Sequence, residues 1–321
     1  MNEVGVLILA AGQGKRMKSA LPKVTHHLGG KPLLLHVLNK AQGLKPGRIA
    51  IVIGHGAEAV KQVCPKDDVT WVVQDRQLGT AHAVLCAMHS FEEFVGDILI
   101  LSGDVPLISE PTLKAIIDRH RERNASLTLL TASLKEPRGY GRILRDAGGE
   151  ITGIVEERDA TDAQRQIREV NAGVYVASAA FLFPALQAVS ANNEQGEYYL
   201  PDAVTIGLKQ RKRIATLKVD DAREMMGINT REELALMEKT LQERINRKWM
   251  DDGVTLKDPN TTYIEEDIVI GKDTVIGPNT HLRGRTAIGE RCQIDGSAYL
   301  TDVQIGDGVQ LRFSVVLTGC R

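Results

Sequence analysis

The stretch Leu9–Lys23, LAAGQGKRMKSALPK, poses the first chemical question of the chain. It ends the apolar run Val4–Leu9, sets Gly12 and Gly14 two apart, and then supplies basic side chains and Pro22. Glycines at that spacing let backbone N–H groups approach anionic oxygens, as in the nests that hold phosphate at helix starts. Three phosphate-binding patterns can be compared with it. A G-x-x-x-x-G-K-S/T loop is absent, because Gly30 and Lys31 are followed by Pro32. A G-x-G-x-x-G fingerprint fails at Met17, where its third glycine belongs. The acidic residue it wants roughly 20 positions on is also missing, and that neighbourhood offers His36 and Asn39. What fits is G-x-G-x-R-M followed by P-K. Arg16 and Lys23 then neutralise a triphosphate, and a two-charge clamp on a departing pyrophosphate suits nucleotidyl transfer.

A second constellation belongs with the first. In DILILSGDVPL a buried strand ends just before Asp104, so its carboxylate is expected at the same rim of the sheet. An aspartate after a strand is commonly a cap. Beside a phosphate loop it becomes a candidate Mg²⁺ ligand, because that ion takes one or two protein groups together with substrate phosphates. Asn229, in MMGINTREEL, stands at the start of a long helix, where a capping role competes. His26, His27, His36 and His55 read as turn or packing residues.

These residues need a scaffold that brings strand ends together. Up to about Val219, unalternating apolar runs (VGVLILA, RIAIVIG, VTWVV, DILILSGD) alternate with helical patterns (KPLLLHVLNKA, TAHAVLCAMHS, SEPTLKAIIDRHRER). That order predicts a mostly parallel sheet covered on both faces, with ligands at the carboxyl ends of the strands. Pro32 suits a first helical turn, and Thr80 and Ser109 suit helix caps. GRILRDAGGEITGIVEE reads instead as a hairpin. From Thr230 to Met250 one long helix is predicted, with a Thr230–Glu233 capping box and Leu234, Met237, Leu241, Ile245 and Trp249 on one face.

After Gly253 the period becomes six. Aliphatic residues recur at Ile264, Ile270, Ile276, Leu282, Ile288, Ile294 and Leu300, and after a one-residue slip at Ile305, Leu311 and Leu317. Hexads of this kind build a parallel β-helix, each supplying one side of a triangular coil. The chain ends in VVLTGCR without a polar cap, so the β-helix is expected to be the start of a longer one. The expected organisation is residues 1–228 as a nucleotidyltransferase domain, 229–252 as a linking helix, and 253–321 as an incomplete hexapeptide β-helix.

Composition narrows the function. Forty Lys and Arg against 41 Asp and Glu leave a charge of −1, with no basic stripe for a nucleic acid. No basic leader or long apolar span stands at the start, so neither secretion nor membrane insertion is expected. Cys64, Cys86, Cys292 and Cys320 lack C-x-x-C spacing and read as reduced thiols of a cytoplasmic protein.

The motifs LAAGQGKRM, LPKV, QLGTAHA, GDVPL, GYGRI, GIVEERDATDAQRQI, NAG and GEYYL, followed by the hexads, resemble one family across the whole chain. It is the bacterial bifunctional N-acetylglucosamine-1-phosphate uridylyltransferase and glucosamine-1-phosphate N-acetyltransferase family. LAAGQGKRM and GDVPL are shared by sugar nucleotidylyltransferases at large, whereas GIVEERDATDAQRQI and GEYYL are more particular. The resemblance implies a doubly wound, Rossmann-like first domain and a left-handed β-helix. It implies that Leu9, Ala10, Ala11 and Gly12 line the nucleotide site, with Arg16 and Lys23 on the phosphates. Gln74, Gly79 and Thr80 read uracil, and Ser102, Gly103 and Asp104 are further substrate-binding residues. Asp104 and Asn229 hold Mg²⁺, while Gly141, Glu156 and Asn171 bind N-acetylglucosamine. Many relatives carry an aromatic residue where this chain has Ser102. The implied substrates are UTP and N-acetylglucosamine 1-phosphate, and the implied assembly is a homotrimer, weakened here by the short β-helix. Acetyl transfer belongs to later coils, and only His281 falls within the hexads present. Read from the residues alone, a transferase for another sugar phosphate and a non-catalytic regulatory subunit stay open.

Overall fold

The computed structural model describes residues 3–64 and 68–321, which fall into two compact units. The first comprises residues up to His26 together with Pro32–Thr230; the second comprises His27–Lys31 and Arg231–Arg321.

The first unit is built on a nine-stranded sheet. Its strands are β1 (Glu3–Ala10), β2 (Arg48–Ile53), β3 (Thr70–Val73), β4 (Gly96–Ser102), β5 (Leu127–Ser133), β6 (Arg142–Arg145), β7 (Ile151–Val155), β8 (Glu169–Ser178) and β9 (Ile214–Lys218). The main order is β9-β5-β8-β4-β1-β2-β3. Strands β4, β1, β2 and β3 run parallel to one another, and β9 runs parallel to β5. Only β8 is inserted antiparallel, between β4 and β5. The hairpin β6–β7 branches from β8, as its glycine turn predicts.

The absence of alternation in these strands has a direct cause. Successive side chains point to opposite faces of a sheet, and here both faces are covered by core. Val6, Ile8, Ile49, Ile51, Leu99 and Leu101 belong to one apolar cluster. Leu7, Ala50, Val52, Ile98 and Ile100, the residues between them, belong to the other. Apolar residues therefore dominate the strands, with Asp97, Thr128 and Thr131 as buried polar exceptions, and the candidate site residues collect at their carboxyl ends.

Two helix starts differ from expectation. The first helix runs Leu33–Gly43 with Pro32 as its N-cap, one position outside the first turn. Thr80 is the first residue of helix Thr80–Cys86 and does not cap it. Gly79 holds the N-cap position at φ +110°, and a Cβ there would lie 2.5 Å from the Tyr198 carbonyl oxygen. Only glycine fits that approach. The Thr80 hydroxyl instead accepts from the Leu200 N–H at 2.9 Å. Ser109 caps helix Glu110–Glu122 as expected, accepting from Thr112 N–H.

In the second unit the hexads form three parallel sheets, one for each side of a triangular prism. Ile264 pairs with Leu282 and Leu282 with Leu300, so each coil takes eighteen residues. The slip after Leu300 shortens the coil to seventeen and keeps Ile288 over Ile305, Ile294 over Leu311 and Leu300 over Leu317. All seven aliphatics from Ile264 to Leu300 are buried, whereas Ile305, Leu311 and Leu317 are half-buried. Helix Arg231–Asp251 belongs to this unit. Ile245 and Trp249 pack against the coil interior, and Asn246 Nδ2 donates to the Pro259 and Thr262 carbonyls at 2.7 and 2.9 Å.

Candidate active site

Loops after β1, β2, β3 and β4 surround a cavity of about 720 Å³. It is lined by Leu9, Ala10, Ala11 and Gly12, by Gln74, Gly79 and Thr80, and by Lys23, Ser102 and Asp104. This is the carboxyl-end position at which open α/β sheets bind ligands. Gly103 donates its N–H to the Leu9 carbonyl at 2.9 Å, which ties the β4 loop to the phosphate loop.

Gly14 explains the glycine pattern. It adopts φ +62°, and a Cβ there would sit 2.6 Å from Lys23 Cβ. The turn must therefore close tightly on the P-K segment, and this brings Lys23 under the loop. Gln77 Nε2 holds the same loop by donating to the Ala11 carbonyl at 2.9 Å.

At the floor, the Lys23 ammonium pairs with Asp104 Oδ2 and donates to Asn229 Oδ1 at 2.9 Å. Asn229 is delivered there by Ile228, whose N–H bonds the Asp104 carbonyl oxygen at 3.0 Å. Burial alone would raise the Asp104 carboxyl. Lys23 and the Ser102 hydrogen bond outweigh it, so the group is held below its ordinary value and stays ionised. Ser102 donates its hydroxyl to Asp104 Oδ1 at 2.7 Å. Among the described residues no group of three or more His, Cys, Asp or Glu could hold a metal. A carboxylate and a carboxamide oxygen converging on one cationic point is nonetheless the hard-oxygen donor set that Mg²⁺ takes when phosphates complete its shell.

Arg16 is exposed on the 3₁₀ turn Lys15–Met17 and does not line the cavity; Lys15 does. Gly141, Glu156 and Asn171 form a separate group. Asn171 N–H bonds the Gly141 carbonyl at 2.8 Å, and a Cβ on Gly141 would lie 2.9 Å from Glu156 Oε1. Glu156 lines a second cavity of about 400 Å³ with Asp159, Tyr199 and Asp202. Burial, then Asp159 and Asp202, push its carboxyl up to about 7, against the opposing Arg142 guanidinium. Buried Arg142 anchors the hairpin through its 2.7 Å ion pair with Glu157.

Residues 6–200 match the MobA-like NTP transferase domain, and residues 267–301 match the bacterial transferase hexapeptide repeats. The bifunctional protein GlmU of Heliobacterium modesticaldum is 44% identical over 317 residues, 99% of this chain and 69% of that protein. GlmU of Geotalea uraniireducens is 45% identical over 318 residues, covering 99% and 70%. GlmU of Desulfotalea psychrophila is 42% identical over 319 residues, covering 99% and 94%. The chain belongs to the GlmU family. As a GlmU-family member it is a nucleotidyltransferase, with an α/β transferase fold followed by a left-handed hexapeptide β-helix.

Several cavity residues of this GlmU-family chain escaped sequence reasoning. His55, read as a turn residue, lines the cavity, as do Gln13, Asp75, Gln77 and Glu197. His82 also escaped, although it contacts the Gln74 amide directly. Its position three residues after Gly79 was the available signal. His26 and His36 are buried, as packing residues would be.

Proposed function

We propose that this chain transfers uridylyl from UTP to N-acetylglucosamine 1-phosphate, releasing pyrophosphate, with Mg²⁺ as cofactor. The observation that carries the reading is the meeting of Lys23, Asp104 and Asn229 beneath a glycine loop at the strand ends. Backbone N–H groups of Ala11 to Gly14 receive the triphosphate. Lys23 turns from Asp104 to the phosphate oxygens and offsets charge as the P–O bond to pyrophosphate breaks. Asp104 and Asn229 hold Mg²⁺, which supplies Lewis-acid charge neutralisation when bound. The sugar phosphate oxygen attacks the α-phosphorus in line, so no protein base or covalent intermediate is required.

Gln74, Gly79 and Thr80 take the base, and Gly141, Glu156 and Asn171 orient the sugar. In this reading Arg16 reaches the phosphates only if its turn closes over the bound nucleotide. The presence of Lys23 and Asp104 together at the cavity favours catalysis over a regulatory role. We assign acetyl transfer to no residue of this chain. His281 is stacked at 4.7 Å on Tyr263 and lies 5.5 Å from Tyr299, a packing role. Exposed Tyr263, Val269, Phe313 and Val316 on the β-helix are consistent with a homotrimer. No described helix is long and apolar enough to cross a membrane, and we place the enzyme in the cytoplasm.

A pyrophosphate-release assay tests the substrates directly, using four nucleoside triphosphates against N-acetylglucosamine, glucosamine, glucose and mannose 1-phosphates. UTP with N-acetylglucosamine 1-phosphate is expected to give the highest kcat/KM. A higher value for another pair would replace this substrate assignment.

A further inference from the structure

The orientation of the Gln74 amide can be deduced from its surroundings. Its Nε2 lies 3.2 Å from the Gly79 carbonyl oxygen, a group that only accepts. Nitrogen, not oxygen, must therefore face Gly79. The same Nε2 lies 2.9 Å from His82 Nδ1. Both amide hydrogens are then committed, one to Gly79 and one to His82. It follows that Nδ1 is the bare nitrogen of His82 and that the ring proton sits on Nε2. Cys86 Sγ, one helical turn on, stands 3.8 Å from Nδ1 and 3.9 Å from Nε2 and so favours neither ring nitrogen. Burial and then Asp75 push the Cys86 thiol up, so it stays neutral. What remains of the amide is Oε1, which makes no hydrogen bond to any described residue, on a side chain that lines the nucleotide cavity.

We infer that His82 is a positioning residue for base selection: it holds Gln74 so that a carbonyl oxygen, and not an amide N–H, is left to read the nucleobase. This rests on the uridylyl reading above. Uracil presents a donor at N3–H, whereas cytosine presents a bare acceptor at N3. An acceptor-only Gln74 bonds the first and repels the second. A glutamine amide carries donors and an acceptor together; the structure spends the donors of Gln74 inside the protein. A flipped amide would set Oε1 against two acceptors, Gly79 O and His82 Nδ1. Removing His82 leaves Gly79 as the remaining restraint, and the amide presents the wrong group more often.

The test compares kcat/KM for UTP and CTP, with N-acetylglucosamine 1-phosphate, in the wild type, His82→Phe and His82→Asn. The UTP-to-CTP ratio is expected to fall about tenfold in His82→Phe, the size of one lost hydrogen-bond restraint. The loss should fall more on KM for UTP than on kcat. His82→Asn places an Oδ1 acceptor near the site of Nδ1 and should restore most of the ratio. An undiminished ratio in His82→Phe overturns the inference while leaving uridylyl transfer intact. A wild type that shows no preference for UTP removes the underlying reading as well. A measurement on the unaltered protein decides the matter if the phenylalanine variant fails to fold. Two-bond ¹H–¹⁵N correlation of the histidine rings should show His82 as the Nε2–H tautomer, and an Nδ1–H tautomer contradicts the proposal.

Discussion

Along the β-helix, residues eighteen apart, or seventeen past the slip, stack on one another, and each position does much the same work as the one below it. At the sheet rim, Lys23 meets Asp104, 81 residues away, and Asn229, 206 residues away, and no two positions do the same work. The first region distributes stability over a repeat. The second concentrates chemistry in a few side chains that the core holds but does not duplicate. Loss of one residue should therefore be mainly energetic in the β-helix and mainly kinetic at the rim.

The largest expected effect tests the kinetic side. Asp104→Ala removes the carboxylate that pairs with Lys23 and is proposed to hold the cation. Steady-state turnover should drop roughly a hundredfold to a thousandfold, as expected when several kcal/mol of charge stabilisation are lost. Circular dichroism should stay unchanged, because the residue lies beyond β4. A melted first unit would mean that Asp104 is structural and would erase the contrast.

A smaller effect tests the energetic side. Ile276 is fully buried within the prism. Ile276→Ala should destabilise the β-helix by about 3 kcal/mol, read as an earlier melting transition in calorimetry. Leu311 is half-buried in the last coil, and its truncation should cost about 1 kcal/mol. Neither change should alter kcat/KM for nucleotidyl transfer below the transition. Equal costs at the two positions would mean that the coils are not as unequal as their burial indicates.

The smallest effect sharpens the boundary between energetics and chemistry, at Glu156. Its carboxyl titrates near 7 in the folded chain against an ordinary value of 4.5. The folded state therefore binds the extra proton, so this group's contribution to stability is complete below about 4.5 and is lost as pH rises toward 7. Ionisation also converts it from a hydrogen-bond donor into a pure acceptor for sugar hydroxyls. KM for the sugar phosphate should fall severalfold as pH rises through about 7, while KM for the nucleotide does not follow. Glu156→Gln should flatten the profile. A wild-type profile already flat across that range would remove Glu156 from sugar binding.

These differences also account for what the sequence reveals. The hexads are legible because one physical requirement, an inward aliphatic side chain, recurs at a fixed interval. The parallel sheet is legible because two covered faces favour apolar residues at successive positions of its strands. The phosphate loop and Asp104 are legible because both follow strands that reach the same rim. Thr80 and His55 are not. Thr80 sits where a cap would, but Gly79 takes that place and frees the hydroxyl for Leu200. His55 lies in a turn whose position at the cavity depends on the order of the strands, which no local pattern encodes. The role of His82 depends on which way an amide points, and that is read from the Gly79 carbonyl and His82 Nδ1 that face its nitrogen.

The central claim is that the rim residues act together on the α-phosphorus of a nucleoside triphosphate. The most direct measurement is ³¹P NMR of UTP and N-acetylglucosamine 1-phosphate incubated with the protein and Mg²⁺. The account predicts matched growth of a sugar-nucleotide diphosphate pair and free pyrophosphate, absent on the same timescale with Asp104→Ala. Release of inorganic phosphate with UDP, and no sugar nucleotide, would contradict it.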